Sequence, residues 1–150
     1  MTNIRDARPE DVDSIIRLAE ALAAHEETSL SKANHSERLR THLFCDSPKV
    51  YCLVAEAGNK ITGFACYSVE YSLFNTDDYL RLNAMYVEPG GRRNGVGKML
   101  IKTLKKKAVQ FNCGHIRLLT PQSNTIGINF YQSIGATGKK SIRFYIDADE

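Results

Sequence analysis

The chain lacks any run of about 18 or more apolar residues, which excludes a membrane-spanning helix from its sequence pattern. Its opening, "MTNIRDARPEDVD", is polar and acidic where a secretory leader is basic and then apolar, so none is expected. No C-x-x-C pair joins the four cysteines, Cys45, Cys52, Cys66 and Cys113. They read as reduced, small apolar residues of a cytoplasmic protein rather than a zinc site. No H-E-x-x-H spacing groups His25, His35, His42 and His115, and no metal is expected. The charge is weak as well: a net +3 admits an anionic ligand without calling for nucleic acid. The lysines of "KTLKKKA" have no interleaved aromatics and fall opposite an apolar stripe, so they read as a solvated face.

What is present fits one domain over residues 1–150, with a hydrophobic share of 43%, enough to build a core. Pro9 and the acids Glu10, Asp11 and Asp13 mark a helix start. Val12, Ile15, Ile16, Ala19, Leu22 and Ala23 carry that helix to about residue 26. A weaker helix is predicted near Ser36 to Cys45, ended by Ser47-Pro48. "VYCLVAEA" and "ITGFACYSVEY" read as strands joined at Gly58-Asn59-Lys60, and "YLRLNAMYV", Tyr79 to Val87, as a third. Val96, Leu100, Leu104, Ala108 and Phe111 then form a helical stripe, with Gly114 as the predicted stop. "HIRLLT" is a strand, "NTIGINFYQSI" a short helix closed by Gly135, and "SIRFYID" a last alternating strand. The predicted class is α/β (α+β), with a mixed central sheet and helices on both faces in the order α-α-β-β-β-α-β-α-β. Strand, long helix, strand in the second half implies a parallel right-handed crossover.

The stretch "PGGRRNGVGKML", Pro89 to Leu100, lies between the third strand and the long helix. A triphosphate loop would need glycine where Arg92 stands and Ser or Thr where Met99 stands. A dinucleotide fingerprint using Gly95 and Gly97 would need a third glycine at Leu100. What remains is R-x-x-G-x-G over Arg92, Gly95 and Gly97. At a helix start this is an anion cradle of backbone N–H groups and positive dipole, or else a turning loop beside a surface arginine.

The segment "VEPGGRRNGVGKMLI" resembles the acetyl-coenzyme A (acetyl-CoA) motif of the GNAT superfamily of N-acetyltransferases, [QR]-x-x-G-x-[GA] after a strand. About thirty residues on, "NTIGINFYQSIGA" is similar to that superfamily's second signature. "ARPEDVDSIIRLAEALAAHEE" and "VYCLVAEAGNKITGFACY" resemble its first helix and central hairpin, most closely those of the spermidine/spermine (diamine) N-acetyltransferases.

The resemblance implies transfer of an acetyl group from acetyl-CoA to a small-molecule primary amine, without a metal, by a homodimer. It implies that Arg92, Arg93, Asn94, Gly95, Val96, Gly97 and Lys98 hold the pyrophosphate. It implies further that the backbone of Met85, Tyr86 and Val87 pairs with the pantetheine arm. Tyr131 matches the proton donor to the departing thiolate, with a packed aromatic as the lesser alternative, which suits Phe130 beside it. Asn124 and Asn129 match coenzyme A contacts, and Asn124 reads equally as a helix cap. The diamine acetyltransferases carry an acid where this chain has Asn83, and asparagine cannot take a proton at neutral pH. Glu26, Glu27, Glu70 and Asp78 lie on segments that border the acceptor pocket in such enzymes, and each reads also as a solvated charge.

Overall fold

The computed structural model describes residues 1–30, 33–92 and 94–149, in two compact units, residues 1–119 and 120–150. The first unit is built on a five-stranded sheet in the order β1-β2-β3-β4-β5. These strands are β1 (Thr2–Asp6), β2 (Tyr51–Ala57), β3 (Lys60–Ser72), β4 (Asp77–Val87) and β5 (Ile116–Leu118). The first four pair antiparallel and β5 joins β4 in parallel, so the sheet is mixed as expected. β1 is an addition to the predicted order: the polar start, Thr2–Asp6, becomes an edge strand because β2 offers it a ladder.

The helices of this unit are α1 (Val12–His25), α2 (His35–Leu43), the single turn α3 (Pro89–Arg92) and α4 (Val96–Gln110). Pro9 begins a short 3-10 turn that leads into α1 rather than α1 itself. Successive strand side chains point to opposite faces. Cys52, Val54 and Phe64 pack with Ile15, Leu18 and Leu43 of α1 and α2, with Ala84 and Tyr86 beside them. Leu53, Ala55, Ala65 and Tyr67 face the other way, and there Tyr67 and Tyr51 meet the Phe111 ring at the end of α4. Helices therefore cover both faces of the sheet.

The hairpin between β2 and β3 turns on Gly58, whose φ of +63 is the conformation a two-residue hairpin asks of its first central residue. The stop of α4 differs from the expectation. Asn112, at φ +58, is the left-handed residue, and Cys113 N–H bonds back to Ala108 O at 2.8 Å. Asparagine tolerates this conformation, so Gly114 is not needed for it. All four cysteines are free thiols, and Cys52 and Cys66 face each other across β2 and β3. A hydrogen bond with Cys66, together with burial, pushes the Cys52 thiol well above its ordinary range, as suits an unreactive core residue.

The second unit holds α5 (Thr125–Ser133). Asn124 caps its start, accepting the Gly127 N–H at 3.1 Å and donating to Thr120 Oγ1 at 2.8 Å. Gly135, at φ +91, closes it as expected, with Gly135 N–H to Gln132 O at 3.1 Å and Ala136 N–H to Tyr131 O at 3.0 Å. The predicted last strand does not form: residues 141–147 carry no strand, and Ile142, Phe144, Tyr145 and Ile146 are exposed. An alternating pattern becomes a strand only where another strand completes its backbone bonds, and this unit's described residues contain none.

Candidate active site

The end of β4 and the start of α4 are set by local packing. Glu88 N–H donates to Thr62 O at 2.9 Å, where β3 carries a bulge, and the Glu88 carboxylate pairs with Lys60 at 3.2 Å and Arg17 at 3.6 Å. Gly91 is buried, and a Cβ there would lie 3.0 Å from Val87 Cγ1, so the turn of α3 presses directly on β4. Arg92 folds back over the strand. Its Nε–H donates to Val87 O at 2.8 Å and its guanidinium lies 5.2 Å from the centre of the Tyr86 ring. Two of the three strand residues assigned to the pantetheine arm thus carry the arginine of the motif.

Gly95 precedes α4 at φ +71, with open space where a Cβ would stand. The first helical bond of α4 there runs from Met99 N–H to Gly95 O at 3.0 Å. By helix geometry, Val96, Gly97 and Lys98 N–H therefore have no acceptor within α4. No side chain caps this end and no acid occupies its first turn, whereas α1 and α2 carry Asp13 and Glu37 in theirs. Lys98 is exposed on that turn and Asn94 just before it. The arrangement fits the pyrophosphate of acetyl-CoA: orphan donors, positive dipole, a nearby cation and no competing carboxylate. Arg93 lies outside the described residues.

β4 has β5 beside it only from Leu80 to Leu82. From Asn83 to Val87 its second edge has no strand partner among the described residues. Asn83 sits at this departure point and is itself a bulge, since Ala84 pairs with Cys66 while Leu82 pairs with Tyr67. Bulges re-aim side chains and collect beside active sites. The Asn83 amide is exposed and donates from Nδ2 to Ser68 Oγ at 3.1 Å.

The candidate carboxylates separate in the structure. Glu70 shares a face of the β3–β4 pair with Ser68, accepting from Tyr79 OH at 3.0 Å and lying 3.8 Å from Arg81. Asp78 pairs with Tyr71, which puts it on the opposite face, away from Asn83's partner. Glu26 and Glu27 end α1, where Glu27 takes φ +57. In the second unit Tyr131 is half-buried, with its ring 5.3 Å from Phe130 in an edge-on contact, and Asn129 is exposed. An open cleft of about 500 Å³ lies elsewhere, lined by Asp6, Phe44, Tyr51, Tyr67, Lys107 and Phe111. It shares no residue with the α4 start or with Asn83, so it is no part of this site.

Sequence reasoning passed over Ser68 and Arg81. Both face the same way as Glu70, but this shows only once the register is known, and a bulge leaves no mark in the pattern of residues. The described residues contain no group of histidines, cysteines and acids able to hold a metal, and no helix long and apolar enough to cross a membrane.

Comparison with known proteins agrees with this geometry. Residues 18–136 match the model of the acetyltransferase (GNAT) family. The thialysine N-epsilon-acetyltransferase of Mus musculus is 32% identical over 143 residues, covering 90% of this chain and 84% of that protein. The spermidine/spermine N(1)-acetyltransferase-like protein 1 of Homo sapiens is 32% identical over 140 residues, 89% of this chain and 20% of its own length. Among solved structures, a possible acetyltransferase from Clostridium difficile 630 superposes with a TM-score of 0.82 at 21% identity, covering 100% of this chain and 99% of that one. An aminoglycoside N-acetyltransferase in complex with CoA superposes with a TM-score of 0.79 at 21% identity, covering 99% and 95%. With an uncapped start of α4 behind Gly95, a strand edge beside it that β5 leaves, and relatives of this extent, the chain belongs to the acetyltransferase (GNAT) family.

Proposed function

We propose that this chain, as one domain over residues 1–150, moves the acetyl group of acetyl-CoA to a primary amine of a small molecule in a ternary complex. The amine nitrogen bonds to the thioester carbonyl carbon, the carbon–sulfur bond breaks, the amine gives up one proton and the sulfur takes one. The observation that carries the reading is the uncapped, acid-free start of α4 behind Gly95, next to a β4 edge that β5 leaves at Leu82. The acetyltransferases of thialysine and spermidine/spermine among its relatives support a small amine as acceptor.

Within this reading Arg92, Arg93, Asn94, Gly95, Val96, Gly97 and Lys98 hold the pyrophosphate. Met85, Tyr86 and Val87 flank the pantetheine arm, Asn124 and Asn129 contact coenzyme A, and Tyr131 supplies the sulfur's proton. Glu26, Glu27, Glu70 and Asn83 serve the acceptor. Asn83 can orient an amine through its carbonyl oxygen but cannot deprotonate it, so the amine arrives neutral or another carboxylate takes its proton through water. No metal takes part, and the cytoplasm is the proposed compartment.

Screening small amines for release of coenzyme A tests the whole reading, and activity confined to protein or peptide amines would refute it. Asn83 in place of an acid favours one second reading, a coenzyme A-binding regulator without acceptor chemistry. The same screen separates it, because a regulator releases none.

Acetyl-CoA at a hundredfold excess over its dissociation constant is expected to stabilise the fold by about 2.7 kcal/mol. Gly95→Val should abolish that shift, because a β-branched residue resists φ +71 and would pull the first turn out of line. Gly95→Asn, which tolerates the left-handed region, should keep most of it. A melting temperature indifferent to acetyl-CoA sinks the cradle assignment. The homodimer rests on analogy with the diamine acetyltransferases. Light scattering should show twice the chain mass at micromolar concentration, and a monomer there ends that proposal.

A further inference from the structure

The face of the β3–β4 pair beyond Asn83 carries charge that the reaction itself does not use. Ser68 pairs with Arg81 and Glu70 with Tyr79, so Ser68, Glu70, Tyr79 and Arg81 form one patch on that face, beside Asn83. Within it, Arg81 lies 3.8 Å from Glu70, an ion-pair distance but longer than a hydrogen bond, with side chains 38% and 39% exposed. Two half-exposed groups held at this separation keep donors and acceptors for a third party.

The neighbouring charges are otherwise committed. Arg117 donates to Ser72 Oγ at 3.1 Å and to His115 Nε2 at 2.8 Å, and its guanidinium lies 4.1 Å over the Tyr79 ring. It therefore lies against the Tyr79 end of the patch, held there by Ser72, His115 and the Tyr79 ring. Asp77, paired with Ser72, lies at that outer end too.

We infer that Arg81 and Glu70 read the α-amino acid head of the acceptor, Arg81 taking its carboxylate and Glu70 its ammonium. The acceptor is then a diamino acid rather than a polyamine; this rests on the acetyl-transfer reading above. The spacing supports it. Ser68 and Glu70 are two residues apart on one strand face, about 6.6 Å. A side chain of lysine length bridges a similar span between α-carbon and terminal amine. With its head on Arg81 and Glu70, that amine reaches Asn83 and Ser68, where β5 leaves β4. A polyamine lying the same way would set a second ammonium against a guanidinium that never loses its charge. A carboxylate there instead gains charge-assisted hydrogen bonds.

The test compares L-lysine with cadaverine, the same chain without its carboxylate, by coenzyme A release and by calorimetric binding in the presence of coenzyme A. Wild type should favour L-lysine in kcat/KM. Arg81→Met should cut the L-lysine to cadaverine ratio about 10- to 100-fold, the scale of one charge-assisted contact. Should that variant fail to fold, the wild-type preference still decides. Turnover of both amines without preference, or an equal loss of both in Arg81→Met, overturns this inference and leaves acetyl transfer standing. Carboxylate-dependent binding of L-lysine without any turnover supports the Arg81–Glu70 assignment and removes the acetyl-transfer reading. Neither turnover nor such binding removes the Arg81–Glu70 assignment and leaves acetyl transfer to the wider amine screen.

Discussion

Tyr131→Phe is expected to lower kcat by about 10² or more, the usual scale for losing a general acid, while the fold and acetyl-CoA binding survive. The side chain is half-buried beside Phe130, so phenylalanine keeps the ring and its edge-on contact and removes the hydroxyl alone. The size of the effect depends on how the proton moves. A phenol ordinarily titrates near 10 and a thiol near 8.5, so complete transfer from tyrosine to thiolate is uphill by about 2 kcal/mol. A hydrogen bond that shares the proton as charge gathers on sulfur is therefore the step proposed for Tyr131. Stopped-flow measurement of the chemical step, compared with steady-state turnover, checks it. A variant within a few-fold of wild type, with chemistry rate-limiting, would reduce Tyr131 to a packed aromatic.

The second large effect concerns the fold that carries the site. Arg5 on β1 grips Asp11 with two donors, at 2.7 and 3.0 Å, and reaches Glu56 on β2 at 3.1 Å. Asp11 also accepts the Arg8 backbone N–H at 2.7 Å, so one carboxylate ties β1 to the turn that opens α1. The Arg5 and Asp11 side chains are only 14% and 6% exposed, which places this pair inside the protein. Asp11→Ala leaves the guanidinium with Glu56 and with the Asp6 carbonyl oxygen, which accepts from Arg5 Nη1 at 3.1 Å. About 3 kcal/mol of stability should be lost at neutral pH, the low end for breaking a buried pair. For a chain of this size that is a fall in Tm of about 6–12 °C.

The pH dependence has a defined sign. The Arg5 hydrogen bond holds the Asp11 carboxyl below its ordinary value despite burial. Its contribution is complete above about pH 3.9, the value in the unfolded chain, and disappears as pH falls through the lower folded value. Urea unfolding of wild type and Asp11→Ala should thus show a wide gap at pH 7 that narrows in strong acid. A gap below about 1 kcal/mol at pH 7 would mean that Glu56 and the Asp6 carbonyl satisfy Arg5 without Asp11.

Much of this molecule is legible from its residues because the relevant physics is local. The helical stripe from Val96 to Phe111 and the alternation around Gly58-Asn59 place α4 and the central hairpin to within a few residues. Gly95 and Gly97 at the head of that stripe already mark a helix start that could receive an anion, since backbone donors and dipole belong to any uncapped α-helix. Gly135 closes α5 for an equally local reason.

What tertiary structure decided depends on partners remote in sequence. Residues 141–147 alternate as a strand should, yet form none, and the unpromising Thr2–Asp6 does, because ladder bonds come from a neighbour and not from propensity. Asn112 rather than Gly114 turns the chain after α4, because that position takes the left-handed conformation and asparagine bears it. The bulge at Asn83 shifts the facing of every β4 residue before it, joining Arg81 to Ser68 and Glu70 while sending Asp78 to the other face. Motif glycines and helix starts could therefore be read one segment at a time. The charge that shares a strand face with Ser68 became definite only when β3 and β4 were paired, since register is a property of two strands and of neither alone.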